Sequence, residues 1–118
     1  MTDDSEVSVD EAKEMIEEGA TVVDVRTPDE YDRGHIPNSV SAPIDNFAAH
    51  LGKLEGREPL VLVCERGEAS RQGVSLLQAY GGVDGEQAYN LREGLVEWDG
   101  EWEGDSVEED VSDSATTG

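Results

Sequence analysis

The amino-acid sequence predicts an α/β domain built on a mostly parallel sheet. Segments with strand-like patterns alternate with segments of helical spacing, the order typical of parallel strands joined by helices. Leu60 to Val63 form an uninterrupted apolar run, which indicates a strand buried on both faces. The 118 residues suffice for one hydrophobic core without cross-links. We therefore expect a single domain that binds ligands at the carboxyl ends of its strands.

Two capping boxes predict where the first two helices begin. In Ser8–Glu11 a serine precedes a glutamate by three positions, apolar residues follow at helical spacing, and Gly19 marks the end. Thr27–Glu30 repeats this pairing with proline at the first helical position. It predicts a short helix from Pro28 to about Arg33.

The remaining elements follow from apolar patterns. Strands are expected over Thr21–Arg26, Ser39–Ala42, Leu60–Val63 and Gln87–Leu91. Three further helices are expected. The first begins at an Asp45 cap and has Phe47, Leu51 and Leu54 on one face. The second runs from about Ser70 to Tyr80 and stops at Gly81 and Gly82, and the third contains a stripe of Leu95, Trp98 and Trp102.

Charge is the most unusual bulk property of the chain. Twenty-nine acidic residues stand against eight basic ones, for a formal net charge of −21, and the acid is spread along the whole length. Nucleic-acid binding is therefore not expected. We interpret the composition as adaptation to molar salt, where charge repulsion is screened over about 3 Å. It resembles cytosolic proteins of salt-accumulating archaea, and we predict a halophilic archaeal origin.

Composition divides the chain into three segments: an N-terminal extension (1–6), a folded domain (7–102) and an acidic tail (103–118) expected to be disordered. No apolar stretch approaches the length of a membrane span, and the N-terminus lacks the features of a signal peptide. A single cysteine excludes an internal disulfide. We therefore expect a cytoplasmic protein with no membrane partner.

That single cysteine, Cys64, stands where a nucleophile is expected. It directly follows the apolar run and opens a short loop before a helical pattern. Backbone N–H groups at such a helix start favour an anion, and the thiolate is the reactive form of cysteine. A lone cysteine is also often a small buried hydrophobe, so both interpretations stay open on this context alone.

Three segments together resemble rhodanese-like sulfurtransferase domains. They are Asp24–Tyr31 with Gly34–Ser39, the loop Cys64–Ser70, and Leu91–Trp98, in the order and spacing of that family. The match spans about Val7 to Trp102. The resemblance implies a rhodanese-like three-layer α/β fold, with a mostly parallel central sheet of about five strands and helices on both faces.

The resemblance also implies a reaction and a site. Cys64 is then the catalytic nucleophile: it takes a sulfane sulfur from thiosulfate or a persulfide and passes it to cyanide, a thiol or a protein. The substrate-binding residues are those of the loop that follows, Glu65, Arg66, Gly67, Glu68, Ala69 and Ser70. No metal or organic cofactor is implied. A cysteine desulfurase or a sulfur-carrier protein is a candidate partner.

Some residues depart from the family pattern. Glu65 and Glu68 place carboxylates in the loop, where they repel a dianion such as thiosulfate at distances that salt does not screen. We therefore expect that thiosulfate is not the physiological donor and supports only weak activity in vitro. Arg66 is the candidate contact for an anionic donor. Ala69 stands where family loops often carry arginine, and Glu93 replaces a usual glycine.

Alternative functions remain. Rhodanese-like domains also serve as non-catalytic interaction or regulatory modules. Phosphatase and arsenate reductase relatives have a loop one residue longer that ends in arginine, whereas here Ser70 stands six positions after the cysteine. Asp24 and Arg26 are expected to form a structural ion pair rather than a catalytic one. His35 is expected to pack within its turn.

Overall fold

A computed structural model describes residues 5–80 and 85–104. The strands are β1 (Glu6–Val7), β2 (Thr21–Asp24), β3 (Gly34–His35), β4 (Val40–Ser41), β5 (Leu60–Val63), β6 (Ala88–Leu91) and β7 (Glu103–Gly104). The α-helices are α1 (Val9–Glu17), α2 (Pro28–Arg33), α3 (Leu51–Leu54) and α4 (Glu68–Ala79). Short 3₁₀ helices cover Ile44–His50, Gly85–Gln87 and Leu95–Glu97.

The central sheet has five strands in the order β1-β6-β5-β2-β4, and each neighbouring pair is parallel. Leu60 in β5 is in register with Thr21 in β2 and with Ala88 in β6. The carboxyl ends of these three strands therefore meet at one edge. The predicted parallel sheet of about five strands is confirmed.

Two hydrophobic clusters lie on opposite faces of this sheet. Leu60 and Leu62 of β5 belong to one cluster, and the alternating Val61 and Val63 belong to the other. The first cluster includes Phe47, Leu54, Val74 and Leu77 from α3, α4 and the 3₁₀ helix before α3. The second includes Val9 and Ala12 of α1. Helices thus cover both faces, and the expected three-layer α/β architecture is confirmed.

Both predicted capping boxes are present. The Ser8 hydroxyl accepts from the Glu11 amide at 3.2 Å, and the Glu11 carboxylate accepts from the Ser8 amide at 2.8 Å. Hydrogen bonds from Ser8 to the Glu11 carboxylate, that of the Ser8 amide foremost, lower the pKa of Glu11. Thr27 and Glu30 exchange the same pair of bonds at the start of α2. Side chains that satisfy the first amides of a helix fix where it begins.

Two predicted helices differ in the structure. Asp45 caps nothing: a 3₁₀ segment runs from Ile44 to His50, and α3 has only four residues. Asn46, at φ −133° and ψ 39°, interrupts the helical backbone there. The stripe of Leu95, Trp98 and Trp102 is not a helix either.

After three 3₁₀ residues the chain turns extended at Trp98, whose indole N–H donates to the Glu101 carbonyl at 2.9 Å. Trp98 and Trp102 pack against the second cluster without the predicted helix. The helical spacing of the stripe thus reflects the partial burial of these side chains, not helical backbone.

The ends of the domain extend slightly beyond the predicted limits. Glu6, assigned to the N-terminal extension, lies in β1 and is in register with Asn90 of β6. Glu103, assigned to the tail, lies in β7 and is in register with His35 of β3. The predicted helix stop at Gly81 and Gly82 and residues 105–118 of the predicted disordered tail lie outside the described residues. The three-segment division stays a prediction.

Asp24 and Arg26 form a buried ion pair at the edge where β2 ends. The guanidinium Nη2 lies 2.8 Å from one carboxylate oxygen and Nε lies 3.0 Å from the other. Nη2 also donates to the Gly34 carbonyl at 2.7 Å. The two side chains are 1% and 4% exposed. The expected ion pair is present, and it ties the end of β2 to β3.

Replacing Arg26 by leucine is expected to lower the free energy of unfolding by about 3–5 kcal/mol, because the Asp24 carboxylate is left buried without its partner. Denaturant unfolding in molar KCl measures this. Arg57→Leu, at an exposed arginine, is the matched control and is expected to stay within about 0.5 kcal/mol. Equal effects of the two substitutions would contradict the structural role of the pair.

Candidate active site

Cys64 is the first residue after β5 and is 5% exposed. Its Sγ accepts from the backbone amides of Gly67 at 3.1 Å and Ser70 at 3.3 Å. The Ser70 Oγ lies 3.2 Å from the same sulfur. Two backbone N–H groups that donate to one sulfur stabilise negative charge on that sulfur without a charged side chain.

The loop that forms this site is held by the segment after β6. The Leu95 amide donates to the Cys64 carbonyl at 2.8 Å, and the Val96 amide donates to the Glu65 carbonyl at 3.1 Å. Gly94, at φ +80°, makes this approach possible: a Cβ there would lie 2.3 Å from the Glu65 carbonyl oxygen. Gly94 is thus required both by its backbone conformation and by the contact.

Gly67 has a similar double requirement. It is the N-cap of α4 at φ +86°, and a Cβ there would lie 2.4 Å from the carbonyl oxygen of Arg92. A glycine at this position lets the loop turn tightly into α4. α4 begins at Glu68, two residues before the predicted start at Ser70. The sulfur therefore lies directly against the first turn of the helix.

Cys64 opens onto a cavity of about 350 Å³. The lining comes from three places at the carboxyl edge of the sheet: Val25, Arg26, Thr27 and Glu30 after β2; Ile44 and Asp45 after β4; and Cys64, Glu65, Arg66, Glu68 and Ala69 after β5. Four acidic residues thus line the cavity with two arginines, and one of these, Arg26, is paired with Asp24.

The structure brings the predicted loop residues together around the sulfur. Glu65, Arg66, Glu68 and Ala69 line the cavity, and Gly67 and Ser70 contact Sγ. Their role in substrate binding stays a prediction. The part contributed by Ile44 and Asp45 was missed, although the pairing of β4 with β2 places them there.

Asn90 and Glu6 were also missed. Asn90 accepts a short hydrogen bond from the Ser70 hydroxyl, and Glu6 accepts from the Asn90 amide at 3.1 Å. Glu6 and Asn90 are 84 positions apart, so no local pattern signals their contact.

Among residues 5–80 and 85–104, no group of three or more acidic, histidine or cysteine side chains is arranged to hold a metal ion. The His35 ring nitrogen Nδ1 lies 2.7 Å from the Tyr31 carbonyl, and the two rings stack at 3.9 Å between centroids. The expected packing role of His35 is confirmed. None of the helices described in this part of the chain is long and apolar enough to cross a membrane.

The fold and site together define a parallel α/β domain with a cysteine-bearing loop at the end of its middle strand. The profile of the rhodanese-like domain matches residues 8–101, and the chain belongs to this family. Among solved structures, a rhodanese-like domain protein from Staphylococcus aureus has a TM-score of 0.73 and 32% identity, over 86% of this chain and 99% of that one.

Curated relatives include sulfurtransferases. The thiosulfate sulfurtransferase GlpE of Pseudomonas syringae pv. syringae is 31% identical over 98 residues, which cover 83% of this chain and 90% of that protein. A putative sulfur carrier protein of Bacillus subtilis, YrkF, is 24% identical over 83% of this chain and 52% of its own length. The family to which the chain belongs therefore contains proteins named for sulfur transfer.

Gly94→Ala is expected to displace the loop and lower the alkylation rate of Cys64, because the added methyl group overlaps the Glu65 carbonyl. Gly56→Ala is the matched control: Gly56 also has φ +80°, but a Cβ there meets nothing within 4 Å. The control is expected to cost about 1 kcal/mol of stability from backbone strain alone and to keep the wild-type alkylation rate. Iodoacetamide labelling measures the alkylation rate of Cys64. Equal rates in both variants would contradict the role of Gly94 in letting the segment after β6 hold the loop.

Proposed function

We propose that this protein is a sulfurtransferase that moves sulfane sulfur to a thiophilic acceptor through a persulfide on Cys64. The observation that carries the proposal is the pair of backbone amides, from Gly67 and Ser70, that donate to Sγ. Neutral fixed donors suit a site that must hold a sulfur anion before and after transfer. The cavity next to Sγ gives a small donor access to it.

In the first half-reaction the Cys64 thiolate attacks the outer sulfur of the donor. A new S–S bond forms on Cys64, and the donor's own S–S bond breaks. Its electron pair leaves with sulfite when the donor is thiosulfate, or with a thiolate when the donor is a persulfide. The Gly67 and Ser70 amides stabilise the attacking thiolate, and the step is the covalent catalysis expected of an activated cysteine. The charge of the persulfide that forms lies on its outer sulfur, one S–S bond beyond Sγ.

In the second half-reaction a nucleophile attacks the outer sulfur of the Cys64 persulfide. The S–S bond breaks with its electron pair on Cys64, which returns as the thiolate. Cyanide leaves as thiocyanate, and a thiol acceptor leaves as a persulfide. The Gly67 and Ser70 amides therefore stabilise the thiolate with which the cycle begins and ends.

The charges around the cavity favour a persulfide over thiosulfate as the physiological donor. Glu65 and Glu68 belong to the loop itself, and Glu30 and Asp45 face it from other elements. A dianion entering this space meets more repulsion than a persulfide with one charge or none. Arg66 lines the same cavity and is the candidate contact for whatever anionic group the donor carries.

The named relatives support sulfur transfer as the activity and suggest protein partners. Because one relative is named a sulfur carrier protein, a sulfur-carrier protein or a cysteine desulfurase is a reasonable candidate for exchange with Cys64. We further propose that the protein works in the cytoplasm of a salt-accumulating cell, where its net charge of −21 is screened.

Incubation with thiosulfate, or separately with a small organic persulfide, in molar KCl is expected to add one sulfur atom to the protein. Cyanide is expected to remove it, because cyanide attacks the outer sulfur. Intact-protein mass spectrometry measures both changes. Cys64→Ser, with the same side-chain shape, is expected to remain folded and gain no sulfur. Sulfur transfer at wild-type rate in this variant would disprove the mechanism, and a folded wild-type protein that gains no sulfur from either donor would favour a non-catalytic module.

Replacing both Glu65 and Glu68 by glutamine is expected to raise kcat/KM for thiosulfate roughly tenfold at low salt, since two like charges leave the neighbourhood of a dianion. The gain is expected to shrink in molar salt. Turnover with a neutral persulfide donor is expected to change little. Stopped assays of thiocyanate formation measure all three.

The control for this experiment is Glu14→Gln with Glu18→Gln. Both residues are exposed and lie in or next to α1, which packs on the opposite sheet face from Cys64, so net charge changes equally without a change near the cavity. A similar gain in this variant would assign the effect to overall charge. No gain in the loop variant would show that these carboxylates do not select the donor.

A further inference from the structure

A chain of hydrogen bonds links the reactive sulfur to the first strand of the sheet. The Ser70 Oγ lies 3.2 Å from Sγ of Cys64 and donates a short hydrogen bond to Oδ1 of Asn90. The Asn90 Nδ2 donates to both carboxylate oxygens of Glu6, at 3.1 and 3.2 Å. Ser70 and Asn90 are fully buried, and the carboxylate of Glu6 is 11% exposed.

The orientation of the Asn90 amide follows from its partners. Its Nδ2 faces the Gly67 carbonyl at 3.1 Å as well as the Glu6 carboxylate, and both groups only accept hydrogen bonds. The two protons of Nδ2 must therefore point to them, which directs Oδ1 to Ser70. Because Oδ1 also only accepts, the Ser70 hydroxyl must give it a proton.

A serine hydroxyl has one proton, and this limits what Ser70 can do for Cys64. When Cys64 is a thiol, its S–H donates to Ser70 Oγ while Ser70 donates to Asn90, and every group is satisfied. When Cys64 ionises and its proton leaves to solvent, the lone pairs of Ser70 Oγ face an anion at 3.2 Å. That arrangement is repulsive unless the hydroxyl turns.

We propose that the Ser70 hydroxyl turns its proton from Asn90 to Sγ when Cys64 becomes an anion, and that Asn90 and Glu6 are positioning residues for this rotor. The anion then has three donors, the amides of Gly67 and Ser70 and the Ser70 hydroxyl. No covalent bond to Ser70 forms or breaks in the turn. The proposal rests on the function proposed above only for its use in catalysis.

Glu6 and Arg71 explain why Asn90 does not turn with the hydroxyl. The Arg71 Nε lies 3.3 Å from the Glu6 carboxylate, so α4 and β1 hold that carboxylate between them. The carboxylate fixes one proton of the Asn90 amide, and the Gly67 carbonyl fixes the other. Ser70 is therefore the mobile member of the chain, and Asn90 Oδ1 again accepts from the Ser70 hydroxyl when Cys64 is neutral.

The experiment measures the rate of Cys64 alkylation by iodoacetamide against pH, in molar KCl. Removing the hydroxyl by Ser70→Ala or by Ser70→Gly is expected to move the half-maximal pH upward by about one unit, and to lower the rate near neutral pH about tenfold. The limiting rate at high pH is expected to stay the same. Two different replacements guard against a loss of folding in one, which circular dichroism detects.

Other charged groups near the sulfur stay constant in these variants. They are the cavity-lining residues Arg26, Glu30, Asp45, Glu65, Arg66 and Glu68. Ser75→Ala, at an exposed serine of the same helix, is the matched control and is expected to keep the wild-type profile. Folded Ser70 variants with the wild-type profile would overturn the proposal.

The role of Asn90 is tested by a double-mutant cycle. Asn90→Asp keeps the side-chain shape, strengthens the acceptor for the Ser70 proton and removes the Nδ2 donors to Glu6 and Gly67. It is expected to move the profile upward more in the wild type than in the Ser70→Ala background. Equal shifts in the two backgrounds would overturn the positioning role, because a purely electrostatic effect needs no hydroxyl. Alkylation requires no sulfur donor. A protein that shows these pH shifts but forms no persulfide therefore refutes the proposed sulfur transfer and still supports the turning of the Ser70 hydroxyl.

Discussion

The parallel register of β2, β5 and β6 is the constraint on which the rest of the structure depends. It brings Asp24, Cys64 and Asn90 to one edge of the sheet, although they come from distant parts of the chain. Side chains alternate between sheet faces, so a shift of one residue in β6 would turn Asn90 away from the loop. The continuous burial of β5 between two clusters makes such a shift costly. Hydrophobic packing of β5 thus fixes the relative positions of the polar side chains at this edge of the sheet.

Backbone groups make most of the described hydrogen bonds that hold this loop and contact the sulfur. Amides stabilise the sulfur, and the carbonyls of Cys64 and Glu65 hold the loop to the segment after Gly94. Peptide groups carry no net charge and do not titrate, so an acidic surface can change around them without altering the donors. The surrounding carboxylates would offset the field of a side-chain cation at the sulfur. Fixed backbone dipoles a few ångströms from the anion act on it directly. A strongly acidic protein can therefore keep a site for an anion.

The sequence anticipated the parts of the structure that depend on neighbouring residues. Capping boxes at Ser8 and Thr27 and the apolar run of β5 act within a few positions, and each formed as expected. β1 has two residues, too few for a pattern to show. The indole stripe at Trp98 and Trp102 reflected burial without a helix. The links from Glu6 to Asn90 and from Gly94 to the Glu65 carbonyl depend on tertiary approach, and no spacing in the chain encodes them.

Cys64 is the only cysteine of the chain, and it is buried. In the proposed cycle a persulfide on it has no neighbouring thiol within the same molecule to attack it, so it cannot collapse into a disulfide with release of sulfide. The loaded protein is then a reservoir: it keeps its sulfur until an outside nucleophile enters the cavity. The lifetime of the Cys64 persulfide is then set by the concentration of the acceptor and by how well the acceptor fits the cavity.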